Sequence, residues 1–167
     1  YWISEGSGVI QLNPLLPLEV VYPDSHGSGV VGSSWKDHHN DLSEFILEFK
    51  PKSVLEIGGG HGMLATNCLK HEDIKWTIIE PNPSLKETKK IKIIKGFFEE
   101  NLSLDFKVDT IVHSHLIEHI YNPDKFIKDL YNFLDFNQYV IFSIPNMEKM
   151  LEKKFTNCLN FEHTIYL

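Results

Sequence analysis

The sequence predicts an α/β domain built on a doubly wound parallel sheet. Short apolar runs recur at 53–57, 75–80, 91–95, 109–114 and 138–144, and the stretches between them carry helical periodicity or helix caps. A third observation is the row Gly58, Gly59, Gly60, placed where the first apolar run hands over to a helix. Glycine is costly to order, so three in a row at such a junction imply a sharp turn and a ligand close to the backbone. In an open parallel sheet, ligands gather beyond the carboxyl ends of the strands.

The elements follow in order. Residues 1–33 read as a lead-in segment and 34–167 as one domain. Ser33 or Ser34 is the expected cap of a helix whose apolar side includes Trp35, Leu42, Phe45, Ile46 and Phe49, with Pro51 marking its end. Strand SVLEI, the glycines and a helix from about His61 to Lys70 come next. Strand KWTIIE leads to the turn PNPS, a short polar helix and strand IKIIK. Beyond the loop GFFEENLSLDF, strand DTIVHS runs into a short helix around LIEH. Asn122 and Pro123 supply an N-cap and an N1 proline for a helix with Phe126, Ile127, Leu130 and Leu134 on one face, and strand QYVIFSI follows.

Composition narrows the function. The chain has 167 residues, 42% of them hydrophobic and 23% charged, enough for one substantial core. A net charge of -7 without a basic block argues against nucleic acid as a partner and for a small substrate. No apolar run approaches the roughly 20 residues that span a bilayer, and no signal peptide opens the chain, so no membrane partner and a cytoplasmic location are expected. Cys68 and Cys158 have no metal-like spacing and read as free thiols. A start at Tyr1 and a stop at HTIYL suggest a fragment of a longer protein.

The spacing within the glycine turn is informative. A dinucleotide fold wants G-x-G-x-x-G, and Met63 stands where the third glycine would be. Glu56, Gly58, Gly60 and Gly62 instead alternate, and this E-x-G-x-G-x-G pattern resembles motif I of the class I S-adenosylmethionine-dependent methyltransferases. A tight structural turn in another α/β domain would use glycine similarly. Glu80 ends its strand about 20 residues further on, where a Rossmann-like fold keeps the acid that accepts from ribose hydroxyls. The resemblance implies that role for Glu80; a solvated acid at a strand end is the plainer alternative. Gly96, Phe97, Phe98 and Glu99 stand where the family flanks adenine, although Phe97 replaces the usual acid. Phe97 or Phe98 would pack on the purine and Glu99 would accept from its amine, or the two aromatics are core residues.

The histidines of HSHLIEH invite a metal reading, but a binuclear H-x-H-x-D-H motif needs an acid at 117 and a histidine at 118, where Ile117 and Glu118 stand. The segment resembles the methyltransferase pattern D-x-x-x-x-x-H-x-L-E-H through Asp109, His115, Glu118 and His119, with Ile117 in place of leucine, and SIPN after the next strand agrees. That resemblance covers Ser53 to Asn146 and implies a Rossmann-like methyltransferase fold whose C-terminal strands, the sixth and seventh, are missing from this chain. It also implies S-adenosylmethionine as cofactor, with His113 and Ser114 beside its methionine end.

The flanks resemble sugar methyltransferases of nucleotide-sugar pathways. The run GVIQLNPLLPLEVVY, then HGSG and a helix with WKDHH, looks like their junction after a zinc-binding cysteine domain; without the cysteine pair, no zinc or other metal is expected here. The tail NFEHTIYL is similar to their E-H-x-x-Y segment, which makes Glu162 and His163 candidates for the general base, with His115 the alternative and Tyr166 completing the match. A polar loop and a strand-edge tyrosine are the bland reading of the same residues. The implied function is methyl transfer to a small carbohydrate or nucleotide-sugar, in surface-polysaccharide or sugar biosynthesis. A phosphoryl-linked polysaccharide decoration is a second acceptor class. A nicotinamide-dependent dehydrogenase and a non-catalytic Rossmann-like binding domain remain as alternatives.

Overall fold

The computed structural model describes residues 1–21, 32–99, 102–155 and 162–166. Two short strands, β1 (Trp2–Ile3) and β2 (Ile10–Gln11), and a one-turn helix α1 (Leu18–Val21) precede helix α2 (Ser33–Glu48). Strand β3 (Ser53–Ile57), helix α3 (Met63–Cys68), β4 (Lys75–Glu80), β5 (Ile91–Lys95) and β6 (Thr110–Ser114) follow. A 3-10 turn at Ile117–His119, helix α4 (Pro123–Phe133), β7 (Tyr139–Ser143), α5 (Met147–Glu152) and β8 (Ile165–Tyr166) complete the chain.

The main sheet has the order β5-β4-β3-β6-β7, with every pair parallel. From β3 the chain winds outward through β4 and β5, then returns to the other side of β3 to lay down β6 and β7. The crevice between β3 and β6 is therefore the topological switch point, where open α/β sheets bind ligands. The inner strands β3, β4 and β6 are buried along most of their length, which explains their mostly apolar sequences, whereas the edge strands β5 and β7 are partly exposed. On one face Val54, Trp76 and Ile78 pack with Leu42 and Ile46 of α2 and Leu64 and Cys68 of α3. On the other, Leu55, Ile79 and Ile111 pack with Phe126 and Leu130 of α4. Cys68 is a free, buried thiol, and burial pushes its pKa up to about 12; Cys158 lies outside the described residues.

The five strands lie where the apolar runs predict them, but several local expectations are corrected. Helix α2 starts from Gly32, at φ 99, without a side-chain cap from Ser33 or Ser34. The expected polar helix after PNPS is absent among the described residues: the Thr88 hydroxyl accepts from the amides of Lys90 and Ile91, and the Glu87 carboxylate accepts from the Ile93 amide. Side chains take the amide protons that a helix would need. Asn122 caps α4 as expected by accepting from the Lys125 amide, although Ile127 points to solvent.

A three-stranded antiparallel sheet, β1-β2-β8, was not anticipated. Its strands are two residues long, too short for any periodic signal. Ile10 pairs with Tyr166 and Gln11 with Ile165, the Leu12 amide donates to the Thr164 carbonyl, and the Tyr121 hydroxyl donates to the Leu16 carbonyl. The lead-in segment is thereby fastened to the tail. The HGSG run lies outside the described residues. No helix among the described residues is long and apolar enough to cross a membrane.

Candidate functional site

The glycine turn leaves the carboxyl end of β3 beside the switch point. Gly58 has φ +79 and Gly62 φ +62, left-handed conformations that glycine tolerates and branched residues do not. The four glycines of the turn meet different neighbours. A Cβ at Gly62 would stand 2.3 Å from Leu85 Cδ2, and one at Gly59 would stand 2.4 Å from Glu56 Cδ, so both positions are closed by the protein itself. At Gly58 the nearest atom would be Leu116 Cδ1 at 2.9 Å. At Gly60 it would be the Glu80 carboxyl group at 3.5 Å, an ordinary contact. At Gly60 a methyl group would therefore just fit, in contact with the Glu80 carboxyl group.

Glu56 lies beneath this loop. It is 4% exposed, and its Oε2 accepts from Trp76 Nε1 at 2.7 Å. Burial pushes its pKa up to about 7, against the lowering effect of the Trp76 hydrogen bond. Glu80, at the end of β4, is half-buried; its Oε1 accepts from the Asn82 amide at 3.0 Å, and its carbonyl accepts from the Gly96 amide at 3.2 Å. Gly96 therefore joins the ends of β4 and β5. The two aromatics that follow part company: Phe98 packs edge-on against Phe126 and Phe133 in the core, whereas Phe97 is 66% exposed. Phe97 is the one with a ring face available to a ligand.

At the end of β6, successive side chains leave on opposite faces. His113 is buried between Phe126 and Phe142, stacked on the latter at 5.1 Å, and burial lowers its pKa to about 4. Ser114 faces the other way, its Oγ 2.9 Å from Ser143 Oγ and 3.0 Å from His38 Nε2. His38 comes from α2, as does Trp35, whose ring stands edge-on to His115 at 4.8 Å. Burial, then the neighbouring His115 and His39, lower the His38 pKa and favour its neutral form. His38 is a polar group at the strand ends that the sequence reading did not single out. Its partner Ser114 lies 76 positions away, a contact no local pattern announces.

The remaining predicted residues converge on the 3-10 turn. His115 holds φ 49, an uncommon conformation for a side-chain-bearing residue, and its Nδ1 lies 3.1 Å from Glu118 Oε1. Glu118 is 4% exposed; burial alone would raise its pKa, but the His115 hydrogen bond and nearby histidines hold it below the usual carboxylate range. The tail arrives against this turn: the Thr164 amide donates to the Glu118 carbonyl at 2.6 Å, and the Thr164 hydroxyl donates to the Ile120 carbonyl at 2.6 Å. His163 is thereby set beside His119, ring centroids 4.9 Å apart, and against Tyr166 at 5.4 Å. Burial, then His119, push the His163 pKa below its ordinary value, so the neutral imidazole prevails at neutral pH. Glu162 offers its carbonyl to His119 Nδ1 at 3.2 Å. Glu118 and His163 also line a mostly apolar cleft with Ile144, Met147, Met150 and Tyr166. Two sets of groups result, one around Gly60 and Glu80 and one around His115, Glu118 and His163.

Residues 32–165 match the model of a family described as a methyltransferase domain. No curated protein sequence matches the chain. Among solved structures, the plantazolicin methyltransferase BpumL in complex with a monoazolic desmethylPZN analog and SAH is 21% identical, with a TM-score of 0.56 over 75% of this chain and 52% of that one. Coclaurine N-methyltransferase bound to N-methylheliamine and SAH is 16% identical, with a TM-score of 0.53 over 76% of this chain and 44% of that one. A putative S-adenosylmethionine-dependent methyltransferase from Methanococcus maripaludis is 18% identical, with a TM-score of 0.56 over 71% of this chain and 64% of that one. The chain spans about half the length of the first of these structures. At these identities the likeness is one of fold, a Rossmann-like parallel sheet with flanking helices.

Proposed function

Because the chain belongs to the methyltransferase domain family, we propose that it transfers a methyl group from S-adenosylmethionine to a small acceptor of the carbohydrate or nucleotide-sugar class. The observation that carries the cofactor half is the Glu80 carboxylate standing directly beside the side-chain-free Gly60 at the strand ends. A carboxylate there can accept from two vicinal ribose hydroxyls, and glycine at 60 sets no side chain against it. Gly58 and Gly60 would pass beside the cofactor, Phe97 would lie against its adenine, and Ser114 would border its methionine end. Glu56 and Gly62 would hold the loop in shape from below. S-adenosylmethionine supplies an electrophilic methyl on a sulfonium, so the protein need only align a nucleophile and accept a proton.

His163 suits the proton-accepting role, because its imidazole is neutral at neutral pH and borders the cleft. His115 and Glu162 are the neighbouring groups of the same reading. The carbohydrate assignment is supported by the pairing of β2 with β8: the two segments that resemble sugar methyltransferases, GVIQLNP and FEHTIY, meet in one small sheet beside His163. A cytoplasmic setting belongs to the same proposal, and the free thiol of Cys68 is compatible with it.

Titration calorimetry with the demethylated cofactor and, separately, NAD tests the first half. The demethylated cofactor should bind and NAD should not, and Glu80→Ala should weaken the binding by about 1–3 kcal/mol through loss of the hydroxyl acceptor. NAD binding, or unchanged affinity in Glu80→Ala, would overturn the cofactor assignment. A methyl-transfer assay across nucleotide-sugars, peptides and amines tests the second half. His163→Ala should lower turnover by about 100-fold or more while cofactor affinity stays near normal. Transfer to amines or peptides alone would remove the carbohydrate reading, and binding without transfer to any class would favour a non-catalytic domain.

A further inference from the structure

We infer that Glu118, His119 and His163 form a site for one divalent transition-metal ion of the zinc class. One ligand atom from each of the three lies within 4.8 Å of the other two, the one such trio of histidine, cysteine and acidic side chains among the described residues. A tetrahedral ion with bonds of about 2.1 Å needs ligand atoms roughly 3.4 Å apart, a difference that small side-chain rotations close. Two histidines and a carboxylate are a donor set that such ions favour over magnesium or calcium, which prefer oxygen throughout.

Three further observations point to an ion. Glu118 is 4% exposed, and its Oε2 is buried with no hydrogen-bond partner among the described residues. A buried carboxylate oxygen without a partner is costly, and a cation would satisfy it. Its other oxygen, Oε1, already accepts from His115 Nδ1, which orients the carboxylate as outer partners of metal ligands do. His119 shows the matching arrangement: Nδ1 lies 3.2 Å from the Glu162 carbonyl, and a carbonyl only accepts. That bond needs the proton on Nδ1, which in the neutral ring makes Nε2 the nitrogen that would take an ion. Finally, Glu118 and His163 border the cleft, so a fourth position on the ion would face incoming oxygen ligands. Spacing along the sequence gives no hint of this set, because it joins neighbours at 118 and 119 to a residue delivered from the tail by β8.

Metal binding here does not depend on the methyl-transfer reading. An ion would occupy the His163 nitrogen that the base needs, so the two are alternative uses of one cluster. The test is run without cofactor or acceptor, on the tag-free chain stripped with a chelator. Cobalt(II) should bind one per chain with the visible absorption of a tetrahedral ion, and zinc should displace it. Zinc should also raise the melting temperature. Glu118→Gln and His119→Ala should each weaken zinc binding by about 100-fold or more, and His115→Ala by about 10-fold, the usual effect of an outer partner. Circular dichroism of each variant verifies folding, and zinc affinity in His71→Ala, an exposed histidine outside the site, should stay unchanged. No stoichiometric binding by the folded chain, or equal affinity in folded His119→Ala, overturns the inference and leaves methyl transfer untouched.

Discussion

Gly60 and Gly62 lie two positions apart, yet a methyl group added at each should act on different properties. At Gly62 it would collide with Leu85 in a left-handed conformation, so Gly62→Ala should lower stability by about 1–3 kcal/mol, read as a fall in melting temperature. At Gly60 the added carbon meets only the Glu80 carboxyl group at contact distance, so Gly60→Ala should keep its melting temperature and lose affinity for the demethylated cofactor. The reverse pattern would make Gly60 the structural residue. Glu56 permits a second measurement. Its carboxyl ionises at about 7 in the folded chain and near 4.5 when unfolded, so the stability it contributes is full below 4.5 and is lost as pH rises toward 7, by roughly 3 kcal/mol. His113 runs the opposite way: with its pKa at about 4 instead of 6.5, it contributes stability above 6.5 that is lost as pH falls through 4. Only the difference between wild type and Glu56→Gln isolates the carboxyl, since the amide can still accept from Trp76. Urea melts between pH 4.5 and 7 should show that variant gaining on the wild type as pH rises; parallel curves would place the ionised form in the folded state.

Among the elements, legibility follows length and burial. The inner strands β3, β4 and β6 were readable because burial along most of their length makes them mostly apolar, the edge strands β5 and β7 because apolar residues still dominate them, and α4 because Asn122 and Pro123 announce its start. Helix α5, begun by Asn146 accepting from the Lys149 amide, follows SIPN without an apolar stripe long enough to notice. The segment after PNPS was misread because its polar side chains suit a helix surface as well as the turn they make. The motif residues Glu80, Gly60, His115 and Glu118 were legible one at a time, through local patterns at strand ends. What they touch was not: the bonds from Ser114 to His38 and from His119 to the tail join residues far apart in sequence. Thr164 does for the tail what a cap does for a helix, with its amide on the Glu118 carbonyl and its hydroxyl on the Ile120 carbonyl. Thr164→Val keeps the shape and removes the hydroxyl donor, leaving the part-buried Ile120 carbonyl short of a partner. It should cost about 1–3 kcal/mol, measured by denaturant unfolding. A loss of under about 0.5 kcal/mol would mean that the amide alone fixes the tail.

For the molecule as a whole, the two halves of the site are reached by very different routes through the sequence. The turn, Glu80 and the ends of β3 and β4 come from one βαβ unit, whose contacts are local. The histidine and acid cluster waits for β8 to pair with β2, joining Ile165 to Gln11 across nearly the entire chain. Closing so long a loop carries an entropy cost that must be met before the short ladder returns anything, so that sheet should come together after the main one. A folding chain would then pass through a stage with a complete glycine cradle and no His163 beside His119. On the proposed roles, cofactor recognition would mature before acid–base competence, and hydrogen exchange should find the β2–β8 amides opening before those of β3 and β4.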